Sequence, residues 1–305
     1  MIKPPRVPAP PKVPPAQLEL GLAREKEQDR NYHLGGRSFY FFDFDDNIAF
    51  LTTPLIVFHK ETGAEVPVST GEFATVQNQI GQSGKYKNYE LRWDDRNGSF
   101  RNFRDHQNEE IEKLGKKSQP FLEDVAQALG HPDFSWKGPS WSCFYHAVFN
   151  HRPISVITAR GHHPSTIEQG IQLFCEAGHL PEIPNFLCVF PVNHPEVRKF
   201  LGQEALEGTQ LSVPELKQAA IRKSVEAAIE KYGYNQHHRF GMSDDDPKNI
   251  QLIAEEMTRL KVIYPSLSFY VIETHGGDFI KYEVHAQGLK RKSEDGGSGQ
   301  GSLFD

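Results

Sequence analysis

Cysteine, basic excess and long apolar runs are all scarce in this 305-residue chain, and each shortage removes a class of protein. The three cysteines, Cys143, Cys175 and Cys188, are odd in number, widely spaced and set in apolar segments such as NFLCVF. They suit reduced core residues, not a disulfide framework or a zinc site. Lys and Arg number 34 against 40 Asp and Glu, a formal net charge of −6, so no global basic field holds the chain on nucleic acid and any polyanion contact must be local. No run approaches the roughly 18 to 20 apolar residues that cross a bilayer, and prolines stand where a signal peptide has its apolar stretch. A cytoplasmic protein is expected.

What is present is enough apolar content, 37% against 24% charged, for one sizeable core with a smaller second lobe. Residues 1–16 hold seven prolines, and the polar stretch onward to Gly36 extends a flexible arm (1–36). Residues 287–305, rich in Gly, Ser and charge, read as a second flexible tail. Between them (37–286), apolar runs alternate with helical patterns, the signature of an α/β fold with a Rossmann-like parallel sheet and crossover helices. The predicted strands are Ser38 to Asp45, Ile154 to Thr158, Phe186 to Val192, Arg239 to Ser243 and Ser268 to Thr274. Helices are expected over Gln119 to Leu129, Trp141 to Phe149, Thr166 to Ala177, Pro214 to Tyr232 and Pro247 to Tyr264. The fourth carries Ser212 and Glu215 in capping-box spacing. Residues 48–117 break the rhythm and read as a partly β insertion, with hairpins around Thr62-Gly63 and Asn97-Gly98.

Charge gathers at the strand ends. The first strand is almost wholly apolar until Asp43-Phe44-Asp45-Asp46-Asn47, and Asp43 and Asp45, two apart, share a face at the carboxyl end of the sheet. A second cluster, Asp244-Asp245-Asp246, ends the fourth strand at the same edge. Converging carboxylates repel unless a cation lies between them, and oxygen-only ligands suit Mg²⁺. Asp246, opening the next helix, is better placed as its N-cap.

FFDFDDN, SVITARG, VPELKQAAI and FGMSDDDPKN, in this order from about Phe39 to Thr274, together resemble the haloacid dehalogenase superfamily in its phosphatase branch. The resemblance implies a haloacid dehalogenase-like core with a substrate-covering cap inserted after the first strand. It also implies a Mg²⁺-dependent phosphomonoester hydrolase. Asp43 would be the nucleophile that forms an aspartyl-phosphate, and Asp45 the general acid/base. Thr158 and Lys217 would steady the phosphoryl oxygens, with Lys223 the alternative to Lys217. The metal would be held by Asp43, Asp45 through its main-chain carbonyl, Asp244 and Asp245, with the direct ligand of the last two left open. Two positions depart from the pattern: Asn47 stands where Thr or Val is usual, and Met242 where many members have Asp.

Arg160 and His162, just past Thr158, are candidate contacts to a substrate phosphate. The insertion carries Arg92, Trp93, Arg96, Arg101, Phe103 and Arg104, residue types that fork onto phosphates and stack on bases, although an ordinary hairpin has the same alternation. Substrate identity stays open among a phosphorylated metabolite, a nucleotide and a DNA end. Gln17 to Leu22 and Gln300 to Phe304 resemble peptides that dock on the bacterial sliding clamp, and the resemblance implies that clamp as a partner. A competing expectation is a non-catalytic binding protein tethered through those tails; the complete set Asp43, Asp45, Thr158, Lys217 and Asp244-Asp245 weighs against it.

Overall fold

The computed structural model describes residues 25–94, 96–106, 119–202, 211–275 and 278–291. Both clamp-like peptides, Asp95 and residues 107–117 of the insertion lie outside the described residues.

The chain enters through a docked segment. Asp29 is buried, pairs with Arg152 at 2.9 Å and accepts the Ser38 N–H at 2.9 Å. The expected flexible arm therefore does not include the stretch around Asp29, which a buried ion pair ties to the body. Then come β1 (Ser38–Phe42), β2 (Leu55–His59), β3 (Glu65–Val68), α1 (Thr70–Val76) and β4 (Tyr89–Glu90). Next are α2 (Pro120–Leu129), α3 (Trp141–Phe149), β5 (Pro153–Thr158), α4 (Pro164–Glu176), β6 (Asn185–Pro191) and α5 (Pro195–Leu201). The described chain closes with α6 (Val213–Tyr232), β7 (Arg239–Asp244), α7 (Pro247–Ile263), β8 (Ser268–His275), β9 (Asp278–His285) and β10 (Gly288–Arg291).

Seven strands form one sheet in the order β10-β9-β8-β7-β1-β5-β6. From β8 to β6 neighbours run parallel, while β9 and β10 are antiparallel additions at one edge. The apolar runs in β1 exist because both faces are covered. Tyr40 and Phe42 join a core with residues of α2, α3 and α4, and Phe39 and Phe41 join another with residues of α5, α6 and α7. The chain leaves β1 toward β5 and β6, then returns across the sheet to β7 and β8. A topological switch point thus falls between β1 and β7, the place at the strands' carboxyl ends where α/β sheets put their sites.

The insertion makes a separate three-stranded sheet, β3-β2-β4, over a small cluster of Leu55, Val57, Val68 and Tyr86. The hairpin at Thr62-Gly63 forms as expected, with Gly63 at φ +69°. The one expected at Asn97-Gly98 does not. The Asp94 carboxylate accepts the N–H groups of Arg96 and Asn97 (3.0 and 2.6 Å), a local turn that competes with a ladder, and β4 pairs with β2 instead. Gly288–Arg291, placed in the tail by composition, pairs with β9. No helix among the described residues is long and apolar enough to cross a membrane.

Candidate active site at the carboxyl edge of the sheet

Past the end of β1 the alternation of side chains persists. Phe44 packs edge-on against Phe121 in the core, while the Asp43 N–H donates to the Ser243 carbonyl at 3.3 Å, still in step with β7. Asp43 is therefore held at the switch point by main chain. Lys217 comes from the first turns of α6, whose start is set by the Ser212/Glu215 capping box. Its Nζ donates to Asp43 Oδ1 at 2.9 Å and lies 3.7 Å from Asp244 Oδ2. Lys223, the alternative, pairs with Glu226.

Asp244, fully buried, ends β7. Its Oδ1 accepts from the Asp246 N–H (3.0 Å) and from Asn249 Nδ2 (3.1 Å), but its buried Oδ2 has no hydrogen-bond partner. Leaving such an atom unpaired is costly unless something else meets it. Asp43, Asp244 and the more exposed Asp245 each offer a carboxylate oxygen within 4.8 Å of the others, so the triad is able to hold a metal ion. Asp246 caps α7 by accepting the Lys248 N–H, the role its position predicted.

The electrostatics record the crowding. Burial pushes the Asp43 carboxyl up to about 8; Lys217 opposes the rise, and Asp244 and Asp45 add to it. Burial and Asp244 push Asp245 up to about 6. Burial alone would lower Lys217, yet Asp43 and Asp244 beside it raise it above its ordinary range, so it stays cationic. One buried ammonium among these carboxylates leaves negative charge uncompensated.

Asn47, which the sequence marked only as a departure, is a hub. Its Nδ2 donates to the carbonyls of Asp43 and Ser243 and to Ser243 Oγ, each at 3.1 Å. Its Oδ1 accepts from Ser140 (2.7 Å) and Thr274 (3.1 Å). One buried amide thus ties the ends of β1, β7 and β8 to the start of α3. Gly138 makes the close approach possible, since a Cβ there would sit 2.3 Å from the Asn47 carbonyl oxygen. The only sequence signal was a polar residue followed directly by the apolar Ile48.

Asp45 turns to different partners. Arg160 grips it with Nε at 3.0 Å from both carboxylate oxygens and Nη2 at 2.7 Å from Oδ1, and Thr158 Oγ1 donates to Oδ2 at 3.2 Å. Arg160 is 1% exposed and His162 0%, so both stand behind Asp45, not open to a substrate phosphate as the sequence suggested. Burial holds His162 below its usual range, although Asp105 at 3.0 Å pulls the other way.

Residues elsewhere have other partners. His163 caps α4, and His238 bonds main chain through both ring nitrogens. All three cysteines are thiols, none of them in a disulfide; burial pushes the Cys143 thiol up to about 12. In the insertion, Arg101 forks onto Glu65 and Arg92 pairs with Glu90, internal ties of the second sheet. Trp93 is 73% exposed, stacked on Phe100. No family model matches the chain, and neither curated proteins nor solved structures give a match to it.

Proposed function

We propose that the protein is a Mg²⁺-dependent phosphomonoester hydrolase working through an aspartyl-phosphate on Asp43, as its resemblance to haloacid dehalogenase phosphatases implies. The observation that carries this reading is the convergence of Asp43, Lys217, Asp244 and Asp245 at the switch point between β1 and β7, with Asp45 two residues on. The parallel strand order supports a haloacid dehalogenase-like core, and the second sheet, inserted directly after β1, supports a cap.

The donor set fits the ion. Asp43, Asp244, Asp245 and the main-chain carbonyl of Asp45 would hold it; all four donors are oxygens, and Asp244 Oδ2, which has no hydrogen-bond partner, lies 3.7 Å from Lys217 Nζ beside this cluster. Of the acidic pair, buried Asp244 is the better direct ligand. When bound, Mg²⁺ neutralises the carboxylates and the charge of the transferring phosphoryl group.

An Asp43 oxygen forms a bond to phosphorus as the ester P–O bond breaks, and the carboxylic acid of Asp45 gives its proton to the leaving oxygen. Water then attacks the phosphorus and passes a proton to the Asp45 carboxylate. Inorganic phosphate leaves, and the Asp43 carboxylate is restored. Lys217 keeps Asp43 oriented throughout and faces the same side as the incoming phosphoryl oxygens.

The test is a panel of sugar phosphates, nucleotides and phosphorylated oligonucleotides. Wild type with Mg²⁺ is expected to turn over at least one and to lose that activity in EDTA. Asp43→Asn should drop turnover by on the order of 10³-fold or more and abolish phosphoenzyme, with an unchanged circular dichroism spectrum. Turnover indifferent to EDTA, or surviving in Asp43→Asn, would sink the proposal.

A further inference from the structure

We propose that Arg160 is a positioning residue for Asp45, and that it depends on the inserted segment to keep its grip. The inference rests on Asp45 acting as the general acid/base. A guanidinium with 1% exposure is tolerated only if its donors are met, and here each of its three nitrogens has a partner. Nε and Nη2 fork onto the Asp45 carboxylate. Nη2 also donates to Thr53 Oγ1 at 2.8 Å, and Thr53 in turn donates to Asp124. Nη1 lies 3.4 Å from His162 Nε2. His162 Nδ1 faces Asp105 at 3.0 Å, so the tautomer that donates to Asp105 leaves Nε2 free to accept from Arg160. The rings of Phe103 and Phe121 flank the guanidinium, with centroids 5.1 and 4.8 Å from its central carbon.

Thr53, Phe103 and Asp105 belong to the insertion, whereas Asp45, Phe121, Asp124 and His162 do not. The segment that makes the second sheet therefore supplies a large part of the Arg160 socket, and its strands begin two residues after Thr53. A catalytic carboxylate must be within hydrogen-bond reach of the leaving oxygen, and a planar fork fixes both its distance and its rotation. Lysine would keep the charge and lose the fork. Arg160 meets no substrate atom in this role; it sets where Asp45 points.

A merely structural role and a positioning role separate by leaving group. Dinitrophenolate departs without a proton, whereas an alkoxide needs one. The experiment measures kcat/KM, which reports the first chemical step, for the Mg²⁺-loaded full chain over phosphate monoesters from 2,4-dinitrophenyl to alkyl. Arg160→Lys is expected to lose about 100-fold on the alkyl ester and less than about 3-fold on the dinitrophenyl ester. Thr53→Val keeps shape and lies outside the catalytic groups; it should show the same selectivity at about 3- to 10-fold. If Arg160→Lys does not fold, Thr53→Val decides. Equal losses on both esters, or none on either, overturn the positioning role while leaving the phosphatase reading intact. A wild-type protein that cleaves no ester overturns that reading, and this inference with it.

Discussion

In the parallel sheet, β1 buries all five of its residues and divides its four aromatic ones between two large cores, whereas in the three-stranded sheet β3 buries only Val68 and the cluster beneath has four buried members. The first is stabilised by apolar area on both faces. The second relies on local turns and on surface ion pairs such as Arg101 with Glu65, which contribute little each. The difference matters because the larger core pins Asp43, Asp244 and Lys217 to stiff elements, while Arg160, which grips Asp45, leans on the smaller one. Asp43 and Asp45, the proposed nucleophile and general acid, thus draw on regions of unequal rigidity although they are two residues apart in the chain.

The sharpest way to break this contrast is to cut into each core. Phe42→Ala, at 0% exposure in the centre of the sheet, should cost about 3–5 kcal/mol in global unfolding by denaturant. Leu55→Ala should instead speed amide hydrogen exchange in β2 and β3 while moving the main transition less than Phe42→Ala does. Equal shifts of the main transition would show that the two sheets unfold as one unit. Asn47→Ala tests the junction. It removes the donor shared by Asp43 and Ser243 and the acceptor of Ser140 and Thr274, and is expected to cost about 2–3 kcal/mol because buried groups lose partners. An Asn47→Ala protein as stable as wild type would mean that the strand ends hold without the staple.

The same contrast explains what was legible in the sequence. Strands buried on both faces must be continuous apolar runs, so SFYFF, ISVIT and SFYVIET mark themselves, and charge at their ends is conspicuous because it is costly there. Lys217 was separable from Lys223 by its place in the first turns of α6. The antiparallel β9 and β10 went unforeseen: β10 is short and mostly exposed, and its Lys and Arg look like tail composition. The turn at Asp94 was misjudged because a side-chain acceptor competes with pairing that propensity alone favours. Arg160 could not be assigned to Asp45, since their contact spans 115 residues and no periodicity encodes it. Asn47 was visible as an oddity, but its five hydrogen bonds depend on tertiary placement.

The smallest effect is also the most direct probe of the corner, and it comes from protons. With Asp43 pushed up to about 8 and an unfolded value near 3.8, the folded protein binds more protons than the unfolded chain between those limits, so stability falls as pH rises through that window. The buried histidines His162 and His238 sit below their ordinary range and act oppositely, adding stability as pH rises toward 6.5. Asp245, raised to about 6, is spent by then as well. Between about pH 7 and 8 Asp43 is left as the main source of slope, at most ~1.4 kcal/mol per pH unit. Urea midpoints of the metal-free protein should therefore drop across that interval, and Asp43→Asn, which cannot titrate, should flatten the drop. Added Mg²⁺ should flatten it too, because a cation held by the carboxylates takes the place of the proton. A wild-type slope unchanged by either treatment would mean that Asp43 is already ionised beside Lys217, and that the corner carries its charge without help.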